Sequence, residues 1–338
     1  MTMPDPVQAG QEPDPEFNQR CLDILSHWQN GDLPFKDASD QLEAMAREAQ
    51  SARQLANQGR AELLLGVLQG YRANLDASIS HFEIARGLFE QAGNRKRAVG
   101  ALLNIGESYR LKGNFPRARQ YFRSAYEAAE ELDMIDTQAI SACNEGLLLI
   151  SMDQFEGAQE LLEKALDLAD GITDDANNRE ELKCEIHHAL ASVYLVTRPQ
   201  APEEAWWQAV AALRIARTLD QPLLIGIASR AMGEVLTEIR EPLQTAAAKG
   251  GIDVSDEPFS SDPDSYFQTA SASFQEIKAE GEIARTLYVH GLSLGKRGKG
   301  SQAARKLQQA MIMFTRLGMT DDASKAARAQ MEVLSNPG

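Results

Sequence analysis

The side chains best suited to chemistry gather at one place, where Cys184, His187 and His188 fall three and four residues apart, the spacing that shares one helix face. Thiolate and imidazole together are zinc ligands. A structural zinc needs four such groups, however, and no second Cys/His cluster lies nearby in the sequence. A Cys–His nucleophile would also need a third group to orient the base, which neighbours on a single helix rarely supply. Asp174-Asp175 with Asn177-Asn178 has the composition of a calcium loop but neither its ligand spacing nor its central glycine, and is expected to be a solvated helix start. Of Trp206 and Trp207, adjacent on a helix, one is expected to be buried and the other partly covered. There is no phosphate-cradling glycine loop and no dinucleotide fingerprint. With no convergent acid, base and nucleophile, the expectation is a protein that is not an enzyme and uses no cofactor or metal.

The bulk properties narrow the class. Across 338 residues, 43% are hydrophobic and only 6% aromatic, with Ala, Leu, Glu, Gln and Arg recurring and few β-branched runs. That mixture favours helices over strands. Lys and Arg number 34 against 49 Asp and Glu, a net charge of −15, so direct binding to nucleic acid is not expected. Three scattered cysteines form no disulfide framework and fit a reducing cytoplasm. The opening Met1-Thr2-Met3-Pro4-Asp5-Pro6 has neither a basic start nor an apolar stretch, so no secretory signal is expected, and no apolar run reaches the roughly 20 residues that span a bilayer.

A repeat organises the chain. Leu102, Leu103, Asn104, Gly106, Gly113, Ala118, Phe122 and Ala125 are matched about 40 residues later by Ala142, Asn144, Gly146, Ala158, Leu162 and Ala165. The same interval backwards brings in Leu65, Gly66, Phe82, Ala85 and Phe89. Further units are keyed by Ala191 and Tyr194, by Met232, Gly233 and Leu236, and by Gly291, Gly298, Ala303, Leu307, Ala310 and Phe314. The small residues Gly66, Gly106, Gly146, Ala191, Gly233 and Gly291 are expected where two helix backbones cross, since a bulky side chain there would force the axes beyond the usual 8–10 Å or so. Phe82, Phe122, Leu162, Phe267 and Leu307, each followed three residues on by Ala, supply the stripe that packs against the crossing. Gly113 and Gly298 mark helix C-caps; Asp32 or Asp37, Asp76 and Asp153 are expected N-caps.

This pattern, over residues 60 to 325, resembles the long-period form of the tetratricopeptide repeat. It departs from the family where Glu62, Leu102, Ala142, His187, Ser229 and Leu287 replace the first-helix aromatic, and it lacks the terminal proline. The resemblance implies an all-α, right-handed α-solenoid of antiparallel helix pairs whose first helices line a concave face. It also implies which residues would meet a bound protein or peptide segment there: Leu63, Val67, Leu103, Asn104, Glu107, Arg110, Cys143, Asn144, Leu147, His188, Ser192, Arg230, Glu234, Tyr288 and Leu292. Asn104 and Asn144 match sites where family members grip a ligand backbone with an amide, which offers a donor and an acceptor together. The competing reading is that each Asn caps or bridges neighbouring helices.

The expected organisation is a disordered tail over 1–15, a capping helix pair over 16–58 broken at Asn30-Gly31, and a solenoid of about six repeats over 59–338 with an insertion at 241–264. The expected function is a cytoplasmic, bacterial scaffold or adaptor holding a protein or peptide segment, with a peptide- or ligand-responsive regulator as the alternative. Residues 1–58 show no helix-turn-helix with a basic recognition helix.

Overall fold

A computed structural model describes residues 12–29, 32–173, 175–239 and 259–335, which hold fifteen helices and no strand. The chain divides into two compact units, Met1–Thr137 and Gln138–Gly338.

The first unit holds α1 (Pro15–Gln29), α2 (Phe35–Ser51), α3 (Leu55–Tyr71), α4 (Leu75–Gln91), α5 (Arg95–Leu111) and α6 (Phe115–Glu131). From α2 onward the helices are 17 residues long and begin every 20 residues, so each unit of 40 is two equal helices and two equal turns. Each turn is the same Schellman cap. Its middle residue adopts positive φ in Arg53, Ala73, Gly93, Gly113 and Asp133. The next amide reaches back five residues, as in Asn74 N to Gln69 O at 3.0 Å and Asn114 N to Tyr109 O at 2.9 Å. Only two of those five turns carry the glycine that the conformation favours.

The crossings form as the small residues require. A Cβ on Gly66 would stand 2.5 Å from the Phe82 ring, and one on Gly106 2.6 Å from the Phe122 ring. Gly59 faces Phe89 in the same way, two turns along the same pair. The partner alanines Ala85 and Ala125 are fully buried. Ahead of these pairs α1 lays Phe17, Cys21 and Trp28 on Leu42, Met45, Leu65 and Leu68. The predicted break at Asn30-Gly31 lies outside the described residues, as do residues 1–11 of the predicted tail. Residues 12–15 are held instead: Glu12 bonds Asn94 and Arg97 at 2.9 and 2.6 Å, Pro13 is buried, and the Asp14 amide donates to Asn57 Oδ1 at 2.7 Å.

The second unit holds α7 (Ile135–Ser151) except its first three residues, then α8 (Phe155–Asp170), α9 (Ala176–Thr197), α10 (Pro202–Leu219), α11 (Pro222–Glu238), α12 (Pro263–Glu276), α13 (Glu280–Lys296), α14 (Gly300–Arg316) and α15 (Thr320–Ser335). The regular interval breaks around the 22-residue α9 and returns at α13. The same crossings recur. Gly146 meets Leu162, Gly226 and Gly233 meet Phe274 and Phe267, and Gly291 meets Leu307, all with a notional Cβ at 2.5–2.9 Å. Burying each such Phe or Leu contributes about 1.5–3 kcal/mol, and no single hairpin could bury it alone. Trp206 is fully buried and Trp207 half-buried.

The expected N-caps are corrected. Asn74 and Gln154 occupy the cap positions of α4 and α8, leaving Asp76 inside the first turn and Asp153 in the left-handed turn position, while Pro34 precedes α2. Side chains that do cap include Asp14, Asn94, Asn114, Asp175 and Asp262. Of the predicted insertion at 241–264, residues 241–258 lie outside the described residues. Phe259 packs on Trp206, and Asp262 with Pro263 starts α12.

Candidate functional site

Curvature decides which helices can receive a guest. In the second unit the first helices of successive pairs touch one another, α9 on α11 and α11 on α13, whereas the second helices pack chiefly on first helices. α9, α11 and α13 therefore form one contiguous row of first helices in that unit. Lys325 of α15 donates to the Ser151 carbonyl at the end of α7, at 2.9 Å, and so joins two first helices far apart in sequence.

On this face Arg230 and Glu234 stand one turn apart on α11. Arg230 Nη1 donates to Glu282 Oε2 of α13 at 2.6 Å and lies over the Phe274 ring, 5.4 Å from its centre. Glu282 also pairs with Arg285. Ser192 of α9 donates to Glu234 Oε2 at 3.5 Å. Burial raises the Glu234 carboxyl to about 7, although Arg230, Ser192 and Lys296 pull it down. Tyr288 of α13 packs edge-on against Phe314, and its hydroxyl is pushed up by burial and then by Asp322, Asp153 and Glu332. His188, Asn144, Leu147 and Leu292 are half-buried. Cys143 has no exposed surface and so serves the packing of α7.

In the first unit, Leu63 leans on Ala85, Phe89 and Ala98, Val67 is half-buried, and Leu103 is buried. Glu107 and Arg110 bind each other through two hydrogen bonds of 2.7 and 2.5 Å, which neutralises both on α5. The Asn104 amide nitrogen donates to Gly100 O of its own helix at 3.2 Å, leaving the side-chain oxygen as the group turned to other uses.

The Cys184 group resolves into packing contacts. Its thiol is fully buried and donates to Ala212 O at 3.3 Å, and burial, then Glu185, pushes it up to about 12. His187 Nδ1 lies 2.6 Å from Gln208 Oε1, and burial lowers its pKa. Such a thiol is neither a thiolate nor open to a ligand. Sequence reasoning missed the acids Asp153, Asp322 and Glu332 beside Tyr288 and the Arg230–Glu282 pair. The spacing of one helix carries no signal of what a helix some fifty residues on brings opposite it.

No helix among the described residues is long and apolar enough to cross a membrane. A comparison with curated protein sequences gives no match. Among solved structures, the chain resembles a Rap protein crystallised in complex with competence and sporulation factor, at a TM-score of 0.58 and 15% identity, covering 95% of this chain and 84% of that one. It also resembles the apo form of RapI, at a TM-score of 0.59 and 11% identity, covering 94% of this chain and 99% of that one. At these identities the likeness speaks to the fold. Residues 97–171 match the family model of the tetratricopeptide repeat. Residues 97–171 thus carry a tetratricopeptide repeat, and helix pairs of the same kind recur on both sides of that stretch.

Proposed function

We propose that this chain is a non-enzymatic binding protein that holds a peptide or protein segment on the inner face of its first helices, working as an adaptor. The observation that carries the reading is the make-up of α9, α11 and α13. The outward sides of α11 and α13 are spent on Gly–Phe and Gly–Leu crossings, and α9 buries Ala191 in the same way, while Ser192, Glu234, Tyr288 and Leu292 keep partial exposure and offer apolar anchors beside polar groups. That is the mixture that holds a segment by a few buried side chains and a polar rim. The Rap neighbour was crystallised with a bound factor, which supports the reading and also favours a second one, a regulator that responds to such a ligand. Three buried cysteines that form no disulfide fit work in a reducing cytoplasm, and a bacterial origin belongs to the same proposal. The two neutral inner amides, Asn104 and Asn144, and the first-unit row of Leu63, Val67, Glu107 and Arg110 remain candidate contacts within it.

The test is selection of peptides from a displayed random library on the purified full chain, followed by affinity measurement on synthetic copies. Leu147→Glu with Leu292→Glu is expected to weaken the recovered peptides by about tenfold or more, since each places a charge against the apolar anchors. Ile312→Asp, on the exposed side of α14, is expected to leave them unchanged. Recovery of no peptide, or equal affinity across all three proteins, would refute the inner-face assignment.

A further inference from the structure

Two acids of the second unit stand in opposite circumstances. Asp264, at the start of α12, is met by two cations and an imidazole: Arg297 Nη2 at 2.5 Å, Lys299 Nζ at 2.8 Å and His290 Nε2 at 2.9 Å. Its carboxyl is held far below the ordinary range, chiefly by Arg297. Its charge is answered within the fold. Among the described residues Glu234 has no ion pair of its own. Its hydrogen bond there is the long 3.5 Å contact from Ser192, at the edge of what counts as a bond.

The cations nearest Glu234 are already committed. Arg230 donates to Glu282 at 2.6 Å, and Lys296 is ion-paired with Glu238. From the helices packed against α11, α9 contributes the Ser192 hydroxyl, with the half-buried His188 ring one turn before it, and α13 contributes the Lys296 charge. A desolvated carboxylate without its own counter-ion is unfavourable unless it takes up a proton or meets a cation from outside. Packing alone does not call for one there, since a neutral side chain of the same length would accept the Ser192 bond without that penalty. The position, on the inner helix between Ser192 and Arg230, is where a guest would arrive.

We propose that Glu234 is the anchor for a cationic group of the guest, the ammonium of a Lys or amino terminus or the guanidinium of an Arg. This rests on the inner-face reading above. In a desolvated setting a newly made ion pair at this carboxylate is stronger than one on the open surface. The charged form of Glu234 is the binding form, so a cationic guest drives a proton off it. Near pH 7 capture therefore releases roughly half a proton per complex, and the preference for a cation fades as the solution is acidified.

Three synthetic peptide pools of equal length test this on the full chain, identical in their neutral random positions and fixed at one position as Lys, Arg or norleucine. Competition binding by fluorescence anisotropy is measured at about pH 8 and about pH 6, on either side of the carboxyl's range. At the higher pH the Lys and Arg pools are expected to bind wild type about tenfold more tightly than norleucine, and at the lower pH the three converge. In Glu234→Gln the three pools are expected to bind equally to one another at both values. Calorimetry in buffers of different ionisation enthalpy reads the released proton, which a purely structural glutamate would not give. Ser192→Ala, the milder change, is expected to move the convergence to higher pH.

A cation preference that survives in Glu234→Gln, or no preference in wild type while all pools bind, overturns the anchor and leaves the inner face standing. Failure of every pool to bind wild type overturns both.

Discussion

Gly100 and Gly106 lie on the same helix, α5, and should respond in opposite directions to the same substitution. A Cβ added at Gly100 meets nothing within 4 Å, so Gly100→Ala removes only the conformational freedom that glycine lends the unfolded chain. Stabilisation by about 0.5–1 kcal/mol is expected. At Gly106 the added carbon would sit 2.6 Å from Phe122 Cε1, 2.7 Å from its Cδ1 and 3.2 Å from Tyr121 Cβ. Ordinary carbon contacts lie at about 3.5–4.0 Å, so the ring must withdraw by roughly 1 Å. Phe122 is fully buried, with Ala118 and Ala125 equally buried on either side, and so has little room to retreat. Overpacking of this kind costs about 1–3 kcal/mol, which outweighs the helix-propensity gain of about 1 kcal/mol.

Gly106→Ala is therefore expected to be less stable than Gly100→Ala by about 1–3 kcal/mol. Urea unfolding followed by circular dichroism measures the difference as a shift in midpoint, with the slope checked for constancy because repeat arrays can lose cooperativity. Phe122→Leu tests the cause. The leucine found opposite Gly146 and Gly291 is the smaller partner, so the double variant should recover part of the loss through a favourable coupling of about 0.5–1.5 kcal/mol. Equal midpoints for the two alanine variants, or strict additivity with Phe122→Leu, would refute the claim that these glycines exist to let the helices approach.

Three further outcomes follow from the turns and the acids. Arg53→Gly and Lys278→Gly relieve a left-handed backbone that now carries a side chain, and each is expected to raise stability by about 0.5–1 kcal/mol in the same unfolding assay. Asp264→Asn is expected to destabilise by about 1–3 kcal/mol at neutral pH by stripping three donors of their charged acceptor. Because the folded carboxyl lies below its unfolded value, that stability is present above about pH 4 and lost on acidification, so variant and wild type should draw together there in thermal melts. Glu234 has the opposite sign. Its folded carboxyl is raised to about 7, so the charged form weighs against folding as pH rises, and Glu234→Gln should be more stable by about 1–3 kcal/mol above that pH and indistinguishable below about pH 4.

The helix crossings were legible because they repeat. Gly66, Gly106, Gly146, Gly233 and Gly291 recur at the register of Phe82, Phe122, Leu162, Phe267 and Leu307, and the structure sets each against that partner. Gly59 with Phe89 and Gly226 with Phe274 obey the same rule seven residues away but recur in only two pairs, so period alone did not reveal them. The turns were half legible for a chemical reason. Gly113 and Gly298 announce a left-handed cap, whereas Arg53, Ala73, Asp133, Asp153 and Lys278 adopt the same conformation with a side chain that ordinarily avoids it. Tertiary packing of the 17-residue helices fixes where each must end, and the turn residue yields. Asp153 misled as a cap because its carboxylate precedes the α8 cap position by one residue.

The inner face was legible only in part, and the reason bears on what it can do. Packing against the neighbouring second helix leaves a periodic trace of small and large residues, because every pair must satisfy the same geometry. No such demand acts on the side turned inward. Ser192, Arg230, Glu234 and Tyr288 therefore follow no common pattern, and their partners, Glu282 across 52 residues and Asp153 on another turn, come from curvature rather than from spacing. Freed from the packing rule, these positions can vary while the array stays intact. That freedom also makes Glu234 informative: a chain able to place any residue there holds a half-buried glutamate, its carboxyl raised by desolvation, whose neighbours have given their charges elsewhere, and a partner that supplies a cation resolves the imbalance.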